Sequence, residues 1–224
     1  MFKTIIMKIL PLLFILSLSG VLLSCEKEKL TGSGPVQTEN RNPGNFNSIK
    51  VSGSSRVTIT AGAGFSVAVT GYSNLLPYYE STVSGSVLRL GYRDGVNVKK
   101  DNIEVSITMP ELRGLELSGS GEITTTGTFP AVSDFSAKIS GSGHILFSQG
   151  TTQQFLSDIS GSGNIYSLGM VAQEADTRIS GSGNTEITAT NTLKATIAGS
   201  GKVYYQGTPV ITTNISGSGA VLPK

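Results

Sequence analysis

Glu174 and Asp176 stand two residues apart ahead of a strand-like stretch, so both carboxylates can face one side of a β wall. Paired carboxylates, or a carboxylate with Arg or Lys, are what glycosidic cleavage needs. Asp158 and Arg178 complete the candidate set, but a charge ladder described below accounts for them, and Glu174 and Asp176 lack a third partner. His144 is the single histidine and is expected to face outward, whereas Ser-His-Asp hydrolysis needs a histidine buried against a carboxylate and a serine. Metal sites built on clustered His or Cys are excluded, because the chain has one of each. The many Gly-x-Gly units are not followed by the third glycine of a dinucleotide loop or by Gly-Lys-Ser/Thr. Nor does an aspartate column follow them, as calcium-binding repeats require; the next residues are Glu122, His144, Asn164, Asn184, Lys202 and Ala220. The expectation is therefore no enzyme, no cofactor and no metal.

The elements that would position these side chains are written as a repeat. Leu117-Ser-Gly-Ser-Gly121 returns with an aliphatic start at Ile139, Ile159, Ile179, Ile197 and Ile215, at spacings of 22, 20, 20, 18 and 18 residues. A period near twenty is too short for a helix pair and predicts one β coil per repeat. The expected fold is all-β, a right-handed parallel β-helix or related β-solenoid of 18–22 residues per coil. Its irregular N-terminal coils would cap the open end, which would otherwise present unpaired strand edges.

Aligning the copies turns each position into a column. The aliphatic residue before the first Ser forms one interior ridge. Ile123, Ile145, Ile165, Thr185, Val203 and Val221, five residues after that Ser, form a second. Counting by twos between the ridges passes through both glycines of each copy: Gly119 and Gly121, Gly141 and Gly143, Gly161 and Gly163, Gly181 and Gly183, Gly199 and Gly201, Gly217 and Gly219. They suit corners where no side chain fits or where φ must be positive. The serine between them faces outward and is expected to bond its counterpart in the next coil. Two residues before the first Ser, Glu116, Lys138, Asp158 and Arg178 alternate in sign, a pattern that disfavours slipped registers. Val51-Ser-Gly-Ser-Ser-Arg-Val57 reads as a degenerate earlier copy, and Val83–Leu90 and Ile103–Met109 as further strands.

Upstream, residues 1–24 carry Lys3 and Lys8, an apolar run from Ile9 to Leu23, and then Leu22-Leu23-Ser24-Cys25. That is the grammar of a secretory signal peptide, and the run is shorter than the roughly 20 residues of a spanning helix. Cys25 is placed as the lipid attachment site, where acylation (palmitate among the chains) would anchor the protein durably to a membrane. Residues 25–45 are polar and read as a flexible tether. The solenoid domain is assigned to 46–224. Without Lys3 and Lys8 the chain has 15 basic and 15 acidic residues, so no basic excess invites nucleic acid.

The Leu-Leu-Ser-Cys25 ending, Phe46-Asn-Ser-Ile-Lys-Val-Ser-Gly-Ser, the Asn74-Leu-Leu segment and the repeated Ile-Ser-Gly-Ser-Gly resemble the head GIN domain family ("putative auto-transporter adhesin") over about residues 46–221. The resemblance implies a β-solenoid at the envelope of a Gram-negative bacterium, as an exported outer-membrane lipoprotein on the surface or periplasmic face. It carries over no catalytic residues. No translocator barrel follows Lys224, so lipid rather than a barrel is expected to hold the chain. The expected function is a non-catalytic interaction or adhesion surface for a glycan or protein ligand. The alternatives are a carbohydrate-active enzyme of the pectin-lyase type or a ligand-free structural protein.

Overall fold

The computed structural model describes residues 28–224; the leader at 1–24 and Cys25 lie outside the described residues. Nine strands build the N-terminal part: β1 (Glu28–Thr31), β2 (Val36–Arg41), β3 (Ser48–Gly53), β4 (Arg56–Ala61), β5 (Ser66–Tyr72), β6 (Tyr79–Ser84), β7 (Val87–Tyr92), β8 (Val96–Lys99) and β9 (Glu104–Met109). Ten more build the repeats: β10 (Gly114–Gly119), β11 (Glu122–Thr126), β12 (Val132–Gly141), β13 (His144–Leu146), β14 (Gly150–Gly161), β15 (Asn164–Gly181), β16 (Asn184–Gly199), β17 (Lys202–Gln206), β18 (Val210–Gly217) and β19 (Ala220–Pro223). A 3-10 turn at Leu76–Tyr78 is the one helical piece among the described residues.

The repeats stack as a parallel β-solenoid of about 6 turns. One wall runs β3, β10, β12, β14, β15, β16, β18, and its register places Val51 on Leu117, Leu117 on Ile139, Ile139 on Ile159, Ile159 on Ile179, Ile179 on Ile197 and Ile197 on Ile215. The next wall stacks Val57, Ile123, Ile145, Ile165, Thr185, Val203 and Val221 in the same manner. Both expected ridges are interior: Leu117 to Ile197 are at most 2% exposed and Ile123 to Val203 are 0% exposed. Burying one such aliphatic side chain stabilises by about 1.5–3 kcal/mol. Thr185 interrupts the second ridge with a hydroxyl, which lies 3.4 Å from Ser157 Oγ within the core.

Val51 to Val57 is the earlier copy that its sequence suggested. The chain leaves the stack after β4 and returns beneath it. There β7 lies parallel under β3 and β9 parallel under β4, adding the first coil out of sequence order. Antiparallel strands then close that end, with β5 on β9, β2 on β5 and β6 on β7. The cap is thus regular β structure, and an antiparallel layer satisfies the main-chain groups that a bare parallel coil would leave open. Val83–Leu90 is a hairpin rather than one strand, because Gly85 turns at φ +64°.

Glu28–Thr31 and Val36–Arg41 are strands, which corrects the flexible reading of that part of the tether. Their partners are distant in sequence: β1 pairs with β8 and β2 with β5. Glu28 accepts hydrogen bonds from Tyr78 Oη at 3.1 Å and Arg93 at 3.0 Å, and the Arg93 guanidinium lies 4.4 Å over the Tyr78 ring. On the last described coil Ile211 and Ile215 continue interior columns at 37% and 39% exposure, whereas Val210, at 73%, continues the outward column of Thr192.

Candidate functional site

The Gly-Ser-Gly corners sort into two roles. The first glycine, from Gly119 through Gly141, Gly161, Gly181 and Gly199 to Gly217, sits at φ between +119° and +133°, a conformation side chains strain to adopt. The second, at Gly121, Gly143, Gly163, Gly183, Gly201 and Gly219, has ordinary φ, and like the first it has no room. A Cβ on Gly163, for example, would lie 2.5 Å from the Gly143 carbonyl oxygen and 2.6 Å from Ile139 Cγ2. The close approach lets one carbonyl serve two donors: Gly141 O accepts from Ser162 N and from Gly163 N, each at 3.0 Å. The serine ladder anticipated at the corner is replaced by these main-chain bonds among the described residues. The glycines are structural, and they keep the walls straight and in register.

On the outer face after the corner, the column Glu104, Arg56, Glu122, His144, Asn164, Asn184, Lys202 is linked along the axis. Arg56 bonds Glu104 at 2.8 Å, and Asn164 Oδ1 accepts from Asn184 Nδ2 at 2.9 Å. His144 is part of this ladder: Asn164 Nδ2 donates to its Nδ1 at 3.2 Å. That contact gives the histidine a structural neighbour rather than a carboxylate–serine pair.

The charge ladder is in register, with Lys50, Glu116, Lys138, Asp158 and Arg178 on successive rungs. Its partner choice differs from a simple rung-to-rung scheme. Glu116 pairs down to Lys50 at 2.5 Å, while Arg178 turns to Asp176 of its own strand at 2.8 Å. Every member is substantially exposed, so each pair contributes below about 1 kcal/mol.

Glu174 and Asp176 do face one site. They line a groove of about 610 Å³ that crosses the coils where β12, β14, β15 and β16 bend. At the bend, interior residues skip a beat: Val132 and then Phe135 are buried, as are Thr152 and Phe155, and Ala172 and Ala175. The two residues between each pair are exposed, so the wall turns there and leaves a concavity. Asp134, Gln154, Glu174 and Thr192 form one column along the groove, and Ser136, Leu156, Asp176 and Lys194 the other. Phe135 and Phe155, stacked 6.0 Å apart with planes 6° from parallel, lie beneath, and Arg113 closes one end. Asp158 is absent from the groove lining, and so is Arg178, which reaches it only through Asp176.

Asp176 is the electrostatic centre. Its Oδ2 takes Arg178 at 2.8 Å and Lys194 at 3.7 Å, whereas its Oδ1 is buried without a hydrogen-bond partner. Asp134, Arg113 and Lys194 are the partners that sequence reasoning missed. The signal was available: the alignment that exposed the Gly-Ser-Gly columns gives both groove columns when extended four and six residues before the first Ser. Among the described residues no group of three or more His, Cys, Asp or Glu is placed to hold a metal ion.

A family model described as "Putative auto-transporter adhesin, head GIN domain" matches residues 45–209. A search of curated proteins finds no match. Among solved structures, a putative adhesin from Bacteroides fragilis superposes with a TM-score of 0.73 at 19% identity, covering 87% of this chain and 100% of that one. A putative lipid binding protein from Parabacteroides distasonis gives 0.59 at 21% identity, with 88% and 100% coverage. A putative adhesin from Parabacteroides merdae gives 0.55 at 21%, with 88% and 99% coverage. At such identities the likeness is one of fold.

Proposed function

As this chain belongs to the head GIN domain family, we propose that it is a cell-envelope lipoprotein whose solenoid serves as a non-catalytic interaction surface. The observation that carries the reading is the outer wall itself: polar residues held in register over successive coils, with Lys50 paired to Glu116 and Arg56 to Glu104 across rungs. Such a wall is rigid before any ligand arrives, so association costs little ordering entropy. Export and anchoring through an acylated Cys25 would place it at the outer membrane, facing the surface or the periplasm. Neutral composition argues for a glycan or protein partner over nucleic acid.

Two measurements test this. Cys25→Ala is expected to move the protein from the membrane fraction to the soluble fraction and to abolish labelling by radioactive palmitate. Cells displaying the wild-type chain are expected to adhere to a glycan- or matrix-coated surface more than cells lacking it. Unchanged fractionation would remove the anchor, and equal adhesion would remove the interaction role.

One observation favours a second reading, a carbohydrate-active enzyme: Asp134, Glu174 and Asp176 gather in one groove with Arg113 and Lys194. Against it, the carboxylate at the centre already pairs with Arg178 and Lys194 instead of standing free for a substrate.

A further inference from the structure

We infer that the groove at the bend of β12, β14, β15 and β16 is the binding site for a neutral, hydroxyl-rich glycan chain lying along the solenoid axis; this rests on the interaction-surface reading above.

Shape comes first. The groove crosses four rungs, from Asp134 to Thr192, and rungs about 4.8 Å apart make it roughly 14 Å long. Its volume of about 610 Å³ is that of a ligand site rather than a surface ripple. The occupant must therefore be elongated and follow the axis.

Chemistry narrows the class. A peptide added as a strand needs a free main-chain edge. Here β14 and β15, which cross the middle of the groove, are paired on both sides, so recognition falls to side chains. Apolar surface from Leu156 in one column runs beside hydrogen-bonding groups on Gln154, Glu174 and Thr192 in the other. A sugar chain matches that arrangement, with apolar C–H faces and hydroxyls along its edges.

Charge selects neutral over acidic chains. Arg113 is engaged by Glu111 at 2.5 Å, and Lys194 by Asp176 at 3.7 Å. The lining sets three carboxylates, Asp134, Glu174 and Asp176, against these two cations, so a uronate or a phosphate meets net negative charge. Glu174 has no ion-pair partner among the described residues, and Asp176 Oδ1 is buried without a donor. The groove presents acceptors in excess and asks for hydroxyl donors, while repelling carboxylates. The acceptor that a ligand hydroxyl can reach is the exposed Glu174 carboxylate.

The test uses the full chain in detergent and titrates hexasaccharides of β-1,4-glucose, α-1,4-glucose and β-1,4-mannose, with oligogalacturonate and a lysine hexapeptide for comparison. At least one neutral hexasaccharide is expected to bind at least ten-fold more tightly than oligogalacturonate and the peptide. Gln154→Ala and Glu174→Ala, both at exposed positions, are expected to weaken it at least ten-fold without shifting the melting temperature. Lys202→Ala on the other wall is expected to leave it unchanged. The inference is overturned if no neutral hexasaccharide binds, if oligogalacturonate or the peptide binds better, or if both groove variants bind as wild type. In that last case a glycan still binds elsewhere and the interaction-surface reading survives, so the two failures are distinguishable.

Discussion

Ile159 lies in register directly over Ile139, one coil along, and both are at most 2% exposed. Neighbouring coils thus share one continuous core, and stability should depend on where along the stack a ridge residue sits. Ile159→Ala, in the middle, should cost about 2–5 kcal/mol. Ile215→Ala, on the open terminal coil at 39% exposure, should cost under about 1 kcal/mol. Chemical denaturation of the two variants checks this, and equal costs would contradict a stack with an open end.

Corner glycines should be intolerant for two distinguishable reasons. Gly161→Ala forces a side chain to φ +126°, which strains the backbone by at least about 1–2 kcal/mol. Both side chains also meet main chain, at 2.3 Å from the Gly141 oxygen and 2.5 Å from the Gly143 oxygen. Only Gly163→Ala meets Ile139, so truncating Ile139 to Ala should partly relieve it and should not relieve Gly161→Ala. Gly64→Ala, with ordinary φ and nothing within 4 Å, should be neutral. Melting temperatures by circular dichroism report all four.

Charge reversal should act weakly and through salt. Glu116→Lys would set a cation between Lys50 and Lys138 in adjacent rungs. A loss of about 0.5–1 kcal/mol at low ionic strength is expected, shrinking in 1 M NaCl as the Debye length falls to about 3 Å. A salt-independent loss would mean that Glu116 acts by packing.

Tyr79 sets an alkaline limit. Burial pushes its hydroxyl up to about 12, and the Asp101 charge acts in the same direction. A phenol raised in the folded state leaves stability intact below its unfolded value near 10, then lowers it as pH rises towards 12, by up to about 1.4 kcal/mol per pH unit. Because Tyr79 Oη is buried without a hydrogen-bond partner, Tyr79→Phe should change stability little at pH 7. It should lessen the decline between pH 10 and 12 without removing it, because Tyr92, raised by burial and by its hydrogen bond to Asp101, contributes the rest. Denaturant midpoints across that range measure it.

Sequence made the stack legible because a solenoid writes its geometry at a fixed period: Ile139, Ile159 and Ile179 announce one ridge, and the glycines its corners. Partner choice was not legible. Arg178 has both Asp158 and Asp176 within reach, and a column alone does not say which it takes. The concavity was hidden because it arises where two consecutive residues, such as Ser133 and Asp134, both face outward and break the alternation without a glycine or proline to mark the bend. Residues 28–41 looked like tether because their composition is polar; β8 and β5, which order them, lie far along the chain.

Whether the wall binds without reacting is the measurement that decides most. Immobilised protein is incubated with the best-retained neutral hexasaccharide, and the sugar is recovered and weighed by mass spectrometry. The account predicts saturable retention and recovery at unchanged length. Shortened or unsaturated products that vanish in Glu174→Gln would contradict it and make the groove an active site.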